Sequence, residues 1–259
     1  MGIPLLERIL GWLGKKEPAE SPEQRKHAEE LRNAILSNDL ELVKSLVEKG
    51  ANANAKSSSC VICSEYFPDT TMLIYATLKK NIPLSRLLIE KGADANARDK
   101  YGNTALLAAV GKGSISNVKF LIDKGANTNQ RNNKEMTALT RAIENGNMEI
   151  AKLLVEKGAD ANAKNVFGMT PLMVACQQGQ IHTVKMLAGK GADVNARDEG
   201  SRTALMWAAE GGYPMICRLL IEKGADANAR NRNGGTALAV AKAKKYAKVI
   251  SILRKAGAK

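Results

Sequence analysis

Gly92-Ala93-Asp94-Ala95-Asn96-Ala97-Arg98 is followed 33 residues later by Gly125-Ala126-Asn127-Thr128-Asn129-Gln130-Arg131. It returns after a further 33 as Gly158-Ala159-Asp160-Ala161-Asn162-Ala163-Lys164. Copies start again at Gly191 and Gly224, and a last glycine stands at 257. The earliest copy, Gly50 to Lys56, lies 42 residues before Gly92, which is 33 with nine residues inserted. A strict period of this length means stacked supersecondary units rather than one globular core.

The residues between two copies spell out the unit. In Asp99 to Arg131, Asp99-Lys100-Tyr101-Gly102-Asn103 carries turn chemistry, with Gly102 free to take a positive φ. Thr104 predicts an N-cap for a helix from Ala105 to about Lys112, because its hydroxyl can accept an orphan N–H. Gly113 breaks that helix. A second helix runs from about Ser116 to Lys124, with Val118, Leu121 and Ile122 on one face. Lys124-Gly125 closes it with a cation at the negative helix end and a C′ glycine. Two helices this short cannot bury their apolar faces alone, so the stack is expected to fold as one cooperative object.

With these residues in hand, 24 to 259 resembles the ankyrin repeat family. The family's Thr-Pro-Leu-His-x-Ala pattern stands here as Thr170-Pro171-Leu172-Met173-Val174-Ala175. It stands as Thr-Ala-Leu-x-x-Ala at Thr104, Thr137, Thr203 and Thr236, and as Thr71-Met72-Leu73-Ile74-Tyr75-Ala76. The resemblance implies an all-α solenoid of about seven helix-turn-helix units with protruding β-turn or hairpin loops. One departure is consistent: Ile74, Leu107, Thr140, Met173, Met206 and Ala239 replace the family's histidine. The inter-unit hydrogen bonds of that histidine are therefore expected to be missing.

The boundaries follow from the period. Residues 1–23 form an amphipathic N-terminal segment and linker, and 24–259 the repeat domain. A capping unit at 24–56 lacks the Thr-x-Leu signature and is rich in Glu, Lys and Arg, with helices around His27–Ser37 and Leu40–Lys49. Unit 57–98 carries the insertion, and 99–131, 132–164, 165–197 and 198–230 are regular. The C-terminal cap, 231–259, replaces part of the apolar pattern with Lys242, Lys244, Lys245 and Lys248. Such a polar outer face is what a terminal repeat needs.

Composition narrows the function class. Apolar residues make up 44% and aromatics 4%, so the core must be built from aliphatic side chains. The net charge of +13 favours an acidic protein face, an anionic membrane surface or nucleic acid. Few aromatics are present for base stacking and no nucleic-acid module is recognisable, which argues against nucleic acid. Four cysteines are too few for a disulfide framework in 259 residues. Glu7 and Arg8 interrupt the only early apolar stretch, against a secretory signal, and no run approaches the roughly 18 residues of a membrane span. A cytoplasmic, monomeric protein without cofactor is expected.

Positions that vary from unit to unit are free to serve binding. Lys49, Lys91, Lys124, Lys157, Lys190 and Lys223 do not vary, and they complement helix dipoles. A second basic column, Lys56, Arg98, Arg131, Lys164, Arg197 and Arg230, stands at the entry to each protruding turn, where no dipole calls for a cation. With packed units about 10 Å apart it would make a positive strip about 50 Å long, suited to an acidic partner. The competing reading is a surface residue copied along with its repeat. Partners of the resembled family bind at the turn tips and inner helices. That points to Lys100, Tyr101 and Asn103, to Lys134 and Met136, to Phe167 and Met169, and to Arg202. Tyr101 and Phe167 share a turn position two units apart, where each is either an anchor or packed on the adjacent turn. The column Tyr75, Ala108, Arg141, Val174, Trp207, Val240 tolerates an arginine, so Trp207 either faces the concave side or packs.

Two segments depart from the period. In the insertion, Cys60 and Cys63 have the spacing of half a zinc knuckle, but no second pair is near, so no metal is expected. Val61, Ile62, Tyr66 and Phe67 make either a contact loop or a cover over the first units. Cys176 and Cys217 align with Ala and Val of other units and read as small buried residues. In residues 2–16, Ile3, Leu6, Ile9, Leu10 and Leu13 share one helical side, with Glu7, Arg8 and Lys15 opposite. With Trp12 and Lys15-Lys16 this suits peripheral membrane contact, and a helix packed on the array or a partner is the alternative. Leu6 breaks the myristoylation pattern.

The only histidines, His27 and His182, fall on different units, and there is no nucleophile motif, phosphate loop or metal cluster. No catalysis is expected. The leading expectation is a protein-binding scaffold. Its alternatives are a basic-surface binder of an anionic ligand, and an inhibitor of a specific enzyme.

Overall fold

Seven helix pairs repeat along the chain in a computed structural model that describes residues 22–54, 56–57 and 70–259. The membrane-contact expectation for residues 2–16 and the insertion residues Cys60, Val61, Ile62, Cys63, Tyr66 and Phe67 lie outside the described residues. The pairs are α1 (Pro22–Leu36) with α2 (Leu40–Glu48), α3 (Met72–Leu78) with α4 (Ile82–Glu90), and α5 (Ala105–Gly111) with α6 (Ile115–Asp123). They continue with α7 (Ala138–Glu144) and α8 (Met148–Glu156), then α9 (Pro171–Gln177) and α10 (Ile181–Gly189). The last are α11 (Ala204–Glu210) with α12 (Pro214–Glu222), and α13 (Ala237–Ala243) with α14 (Ala247–Lys255). Helix α1 starts at Pro22, inside the segment expected to be linker.

Capping chemistry fixes these ends. The Thr104 hydroxyl accepts from Leu107 N at 3.3 Å, and Thr71, Thr137, Thr170 and Thr236 do the same in their units. Thr203 keeps the extended cap backbone without that bond. Gly113, Gly146, Gly179 and Gly212 take positive φ between the two helices, while Lys80 and Lys245 are forced into the same region at φ 57° and 60°. After the second helix, Gly125 N donates to Ile122 O and Ala126 N to Leu121 O, closing the last turn.

The seven-residue first helices stack in order on one layer, and the second helices stack behind them. Leu106, Leu121, Leu139, Leu154, Leu172, Leu187, Leu205 and Leu220 are fully buried and form one continuous core. Each such burial is worth about 1.5–3 kcal/mol. Ala109, Ala142, Ala175, Ala208 and Ala241, all at 0% exposure, let successive inner helices approach closely. Cys176 and Cys217 are buried free thiols in this core. Burial pushes both upward in pKa, Cys217 to about 12, so neither is a thiolate nucleophile at neutral pH.

The units are nevertheless joined by other inter-unit hydrogen bonds, made by a residue that the sequence reading did not single out. Asn162 Nδ2 donates to Gly191 O at 3.2 Å, and its Oδ1 accepts from Asp193 N at 2.8 Å. Asn54, Asn96, Asn129, Asn195 and Asn228 make the same two bonds to the following unit. The asparagine of each repeated segment therefore links adjacent units without histidine, because its amide supplies a donor and an acceptor at once.

In the second unit a short antiparallel pair, β1 (Lys56–Ser57) with β2 (Thr70–Thr71), sets Lys56 opposite Thr71. It brings the ends of the inserted segment together where other units have their turn. No helix among the described residues is long and apolar enough to cross a membrane.

Candidate binding surface

From Asp99 onward, each protruding turn is organised by one Asp or Asn. Asp99 Oδ1 accepts from Tyr101 N and Asn103 N, both at 2.8 Å. Asn132 receives Lys134 N and Met136 N, Asn165 receives Phe167 N and Met169 N, and Asp198 receives Arg202 N. These side chains hold the turn backbone rigidly, which presets the residues at its tip. Adjacent tips are also joined through the backbone, with Asn133 N donating to Tyr101 O at 2.9 Å and Glu199 N to Phe167 O at 3.1 Å.

The basic column has a structural use that the sequence did not disclose. Arg98 Nε donates to Gly102 O, Arg131 Nη1 to Lys164 O, and Lys164 Nζ to Arg197 O at 2.9 Å. Arg197 Nη1 reaches both Ser201 O and Arg230 O, and Arg230 Nη1 reaches Gly234 O. The cations are called for by turn carbonyls of their own and the next unit, not by a helix dipole. They remain exposed, so the row of positive charge exists. Lys56 occupies the corresponding backbone position, in β1.

Tyr101 is 49% exposed and Phe167 66%, so both rings project from the tips instead of packing on the neighbouring turn. The Lys100 ammonium sits 4.9 Å from the Tyr101 ring centre. Met169 is a correction to the expected contact set. It is buried at 8%, because its turn folds it under Phe167 onto the core. Met136 and Asn103 are half-buried, and Asn103 bridges Asp99 and Asn132 through its side chain. Lys134 is exposed. Val174, in the column that holds Arg141 and Trp207, is buried at 4%.

Two clefts open between the tips and the inner helices. The first, about 360 Å³, has Tyr101, Asn103, Met136, Lys112 and Arg141 on its walls. The second, about 640 Å³, is lined by Phe167, Val174 and Trp207 with Glu144, Asp198 and Glu199, and contains no Lys or Arg in its lining. Trp207 is half-buried at this second cleft. Its Nε1 donates to Asp198 Oδ2 at 3.1 Å, and the Arg202 guanidinium covers its ring at 3.6 Å. Arg202 is itself paired with Glu210. Partial burial raises the pKa of the Glu144 carboxyl, with nearby Arg141 pulling the other way. The acidic lining was missed in the sequence because Glu144 and Asp198-Glu199 lie on different units. Their convergence depends on the turn folding over the inner helix.

Among the described residues no three His, Cys, Asp or Glu side chains converge as metal ligands.

A family model described as "Ankyrin repeats (3 copies)" matches residues 31–132, 125–198 and 198–259. An ankyrin repeat domain from Acinetobacter baumannii AYE is 31% identical, with 72% of this chain and 98% of that chain covered and a TM-score of 0.69. The ankyrin repeat domain of Bcl-3, described as a unique member of the IkappaB protein family, is 29% identical. That likeness covers 87% of this chain and 97% of that one, at a TM-score of 0.74. No curated protein matches the sequence.

Proposed function

The chain belongs to the ankyrin repeat family, and from that premise we propose that it is a non-catalytic scaffold holding a partner protein on its concave face and turn tips. Ankyrin repeat domains are in general protein–protein interaction modules, and stacked units of this kind present extended concave surfaces. The observation that carries the reading is the set of aromatic side chains on rigid supports. Tyr101 and Phe167 project from hydrogen-bonded tips, and Trp207 borders a cleft on the same flank. Aromatic groups that are already ordered lose little entropy on contact, which makes them efficient anchors.

The flank offers both charges. Acidic groups of a partner would meet Arg98, Arg131, Arg197 and Lys134, while the carboxylate-lined second cleft suits a cationic side chain. Photo-crosslinking tests the face. A crosslinking amino acid placed at Tyr101 or Phe167 is expected to capture a protein, whereas one at Lys152 on the outer helix is not. Capture from Lys152 alone would reject the concave face.

A further inference from the structure

The positive charge of the chain is concentrated at one end of the stack. Residues 231–259 hold six lysines, two arginines and no acid, against a net charge of +13 for the whole chain. The neighbouring unit, 198–230, holds four cations and five acids, and the first unit, 24–56, holds six and five. A terminal unit needs a polar outer face to stay hydrated. The first unit meets that need with mixed signs, so hydration does not account for a single sign at the other end.

Two of these cations stand in apolar columns. Lys242 is exposed where Val110, Ile143, Cys176 and Ala209 are buried. Arg254 is exposed where Ile122, Val155 and Ile221 pack on the core. Both face the direction in which another unit would stack, and both turn that surface from apolar to cationic. The rest leave from other sides. Arg232 lies in the turn tip, Lys244 and Lys245 in the loop between α13 and α14, Lys248 and Lys255 in the groove with Met215 and Ile252, and Lys259 just past α14. Arg218 and Glu222 share that groove and offset each other. All eight cations are exposed, and none forms an ion pair among the described residues. Unpaired like charges in one small unit repel one another and destabilise it.

The cations surround the end of the stack; they do not line a channel. A plane pressed on the end meets Lys242 and Arg254 directly, and the long stems of the lysines around the rim let their ammonium groups turn toward it, whereas a linear polymer would meet one side at a time. Six of the eight are lysines, point charges on flexible stems that need no fixed geometry in the anion they approach. Tyr246, 37% exposed beside Lys245, adds an amphipathic ring of the kind found at headgroup depth. We propose that the C-terminal unit docks the stack end-on to an anionic phospholipid surface.

Co-sedimentation of the full chain with vesicles tests this. Binding is expected to vesicles containing about a quarter phosphatidylserine, not to pure phosphatidylcholine, and to vanish at about 0.5 M salt. The variant K242Q/K244Q/K245Q/K248Q is expected to lose at least about tenfold in affinity, and R254Q/K255Q several-fold. R86Q/K119Q/K152Q/K185Q removes as much charge from the outer helices, away from the C-terminal unit, and is expected to retain binding. Thermal melting by circular dichroism establishes that each variant is folded, and should the fourfold variant fail to fold, R254Q/K255Q decides. The proposal is overturned if phosphatidylserine vesicles do not bind. Undiminished binding by folded C-terminal variants also overturns it, and would locate the contact elsewhere, residues 1–21 included. An equal loss in the outer-helix variant does the same. So does lysine-dependent binding of an RNA oligonucleotide or polyglutamate where vesicles show none, which would make the unit a site for those polymers instead.

Discussion

Two polar strips run the length of the stack, and they differ in regularity. In the asparagine strip every rung is alike. From Asn54 to Asn228 the side chain accepts at 2.7–2.9 Å and donates at 2.9–3.2 Å to the next unit. In the turn-tip strip the backbone rung joins Tyr101 to Asn133, Phe167 to Glu199 and Gly200 to Arg232, but skips the junction between Lys134 and Val166. Residue identity follows the same division. The first strip repeats one residue because the spacing between units must not change. The second changes residue at every unit, which leaves its outer side chains free to meet something other than the chain itself.

Glycine substitution should break this comparison most visibly. A Cβ on Gly168 would lie 2.7 Å from Glu199 N in the adjacent tip, at φ +71°. One on Gly191, which accepts the asparagine bond, would meet nothing within 4 Å at φ +87°. Gly191→Ala is expected to cost about 1–2 kcal/mol from the left-handed backbone alone. Gly168→Ala should cost about 1–3 kcal/mol more, because backbone must shift to relieve the contact. Urea denaturation of both variants checks it, and equal losses would mean that the tips are no more tightly joined than the asparagine strip.

The next effect is smaller. Asn162→Ala removes two inter-unit bonds and should destabilise by about 1–2 kcal/mol, with Asn129→Ala and Asn195→Ala within about 0.5 kcal/mol of it. Arg197→Gln, in the exposed tip column, should fall within about 0.5 kcal/mol of wild type. A spread among the asparagine variants as wide as that among tip variants would remove the distinction between uniform and variable strips.

Substitutions in the other direction should stabilise. Glu135 holds φ 54° at the tip position where Gly102, Gly168 and Gly234 stand, and Lys80 holds φ 57° where Gly113 and Gly146 stand. Lys80→Gly is expected to add about 0.5–1 kcal/mol, the relief of the left-handed backbone less the extra entropy of an unfolded glycine. Glu135→Gly should add less, since it also removes the exposed pair with Arg131. Melting midpoints that fall instead would show that these two positions rely on their side chains.

The helix pairs, their threonine caps and the glycine breaks were legible in the sequence because each depends on residues within one unit. Thr104 and Gly113 declare their roles to neighbours three or four positions away. What was not legible depends on atoms about 30 residues apart. Asn162 bonds to Gly191 and Asp193, 29 and 31 positions on, and Arg197 to Arg230 O, 33 positions on, and no residue near Asn162 or Arg197 in sequence signals those partners. Met169 alternates with the exposed Phe167 in sequence but folds under it in space. Periodicity disclosed the inter-unit spacing and not the chemistry that maintains it.

The smallest predicted effect lies at Glu144, in the carboxylate-lined cleft beneath the variable tips. Its pKa is raised by partial burial, against the pull of Arg141. The folded state therefore favours the protonated acid more than the unfolded chain does. Stability should rise slightly as pH falls through the raised value, and level off below the ordinary carboxylate range. Glu144→Gln should flatten that rise, which denaturation midpoints followed from neutral pH to about pH 4 will show. A partner that places a cation in this cleft would reverse the shift, because a positive charge stabilises the carboxylate. Association near the raised value should then release a proton, visible as a binding heat that changes with the ionisation enthalpy of the buffer. A buffer-independent heat at that pH would mean that the partner leaves this cleft without a cation, and that the tips alone make the contact.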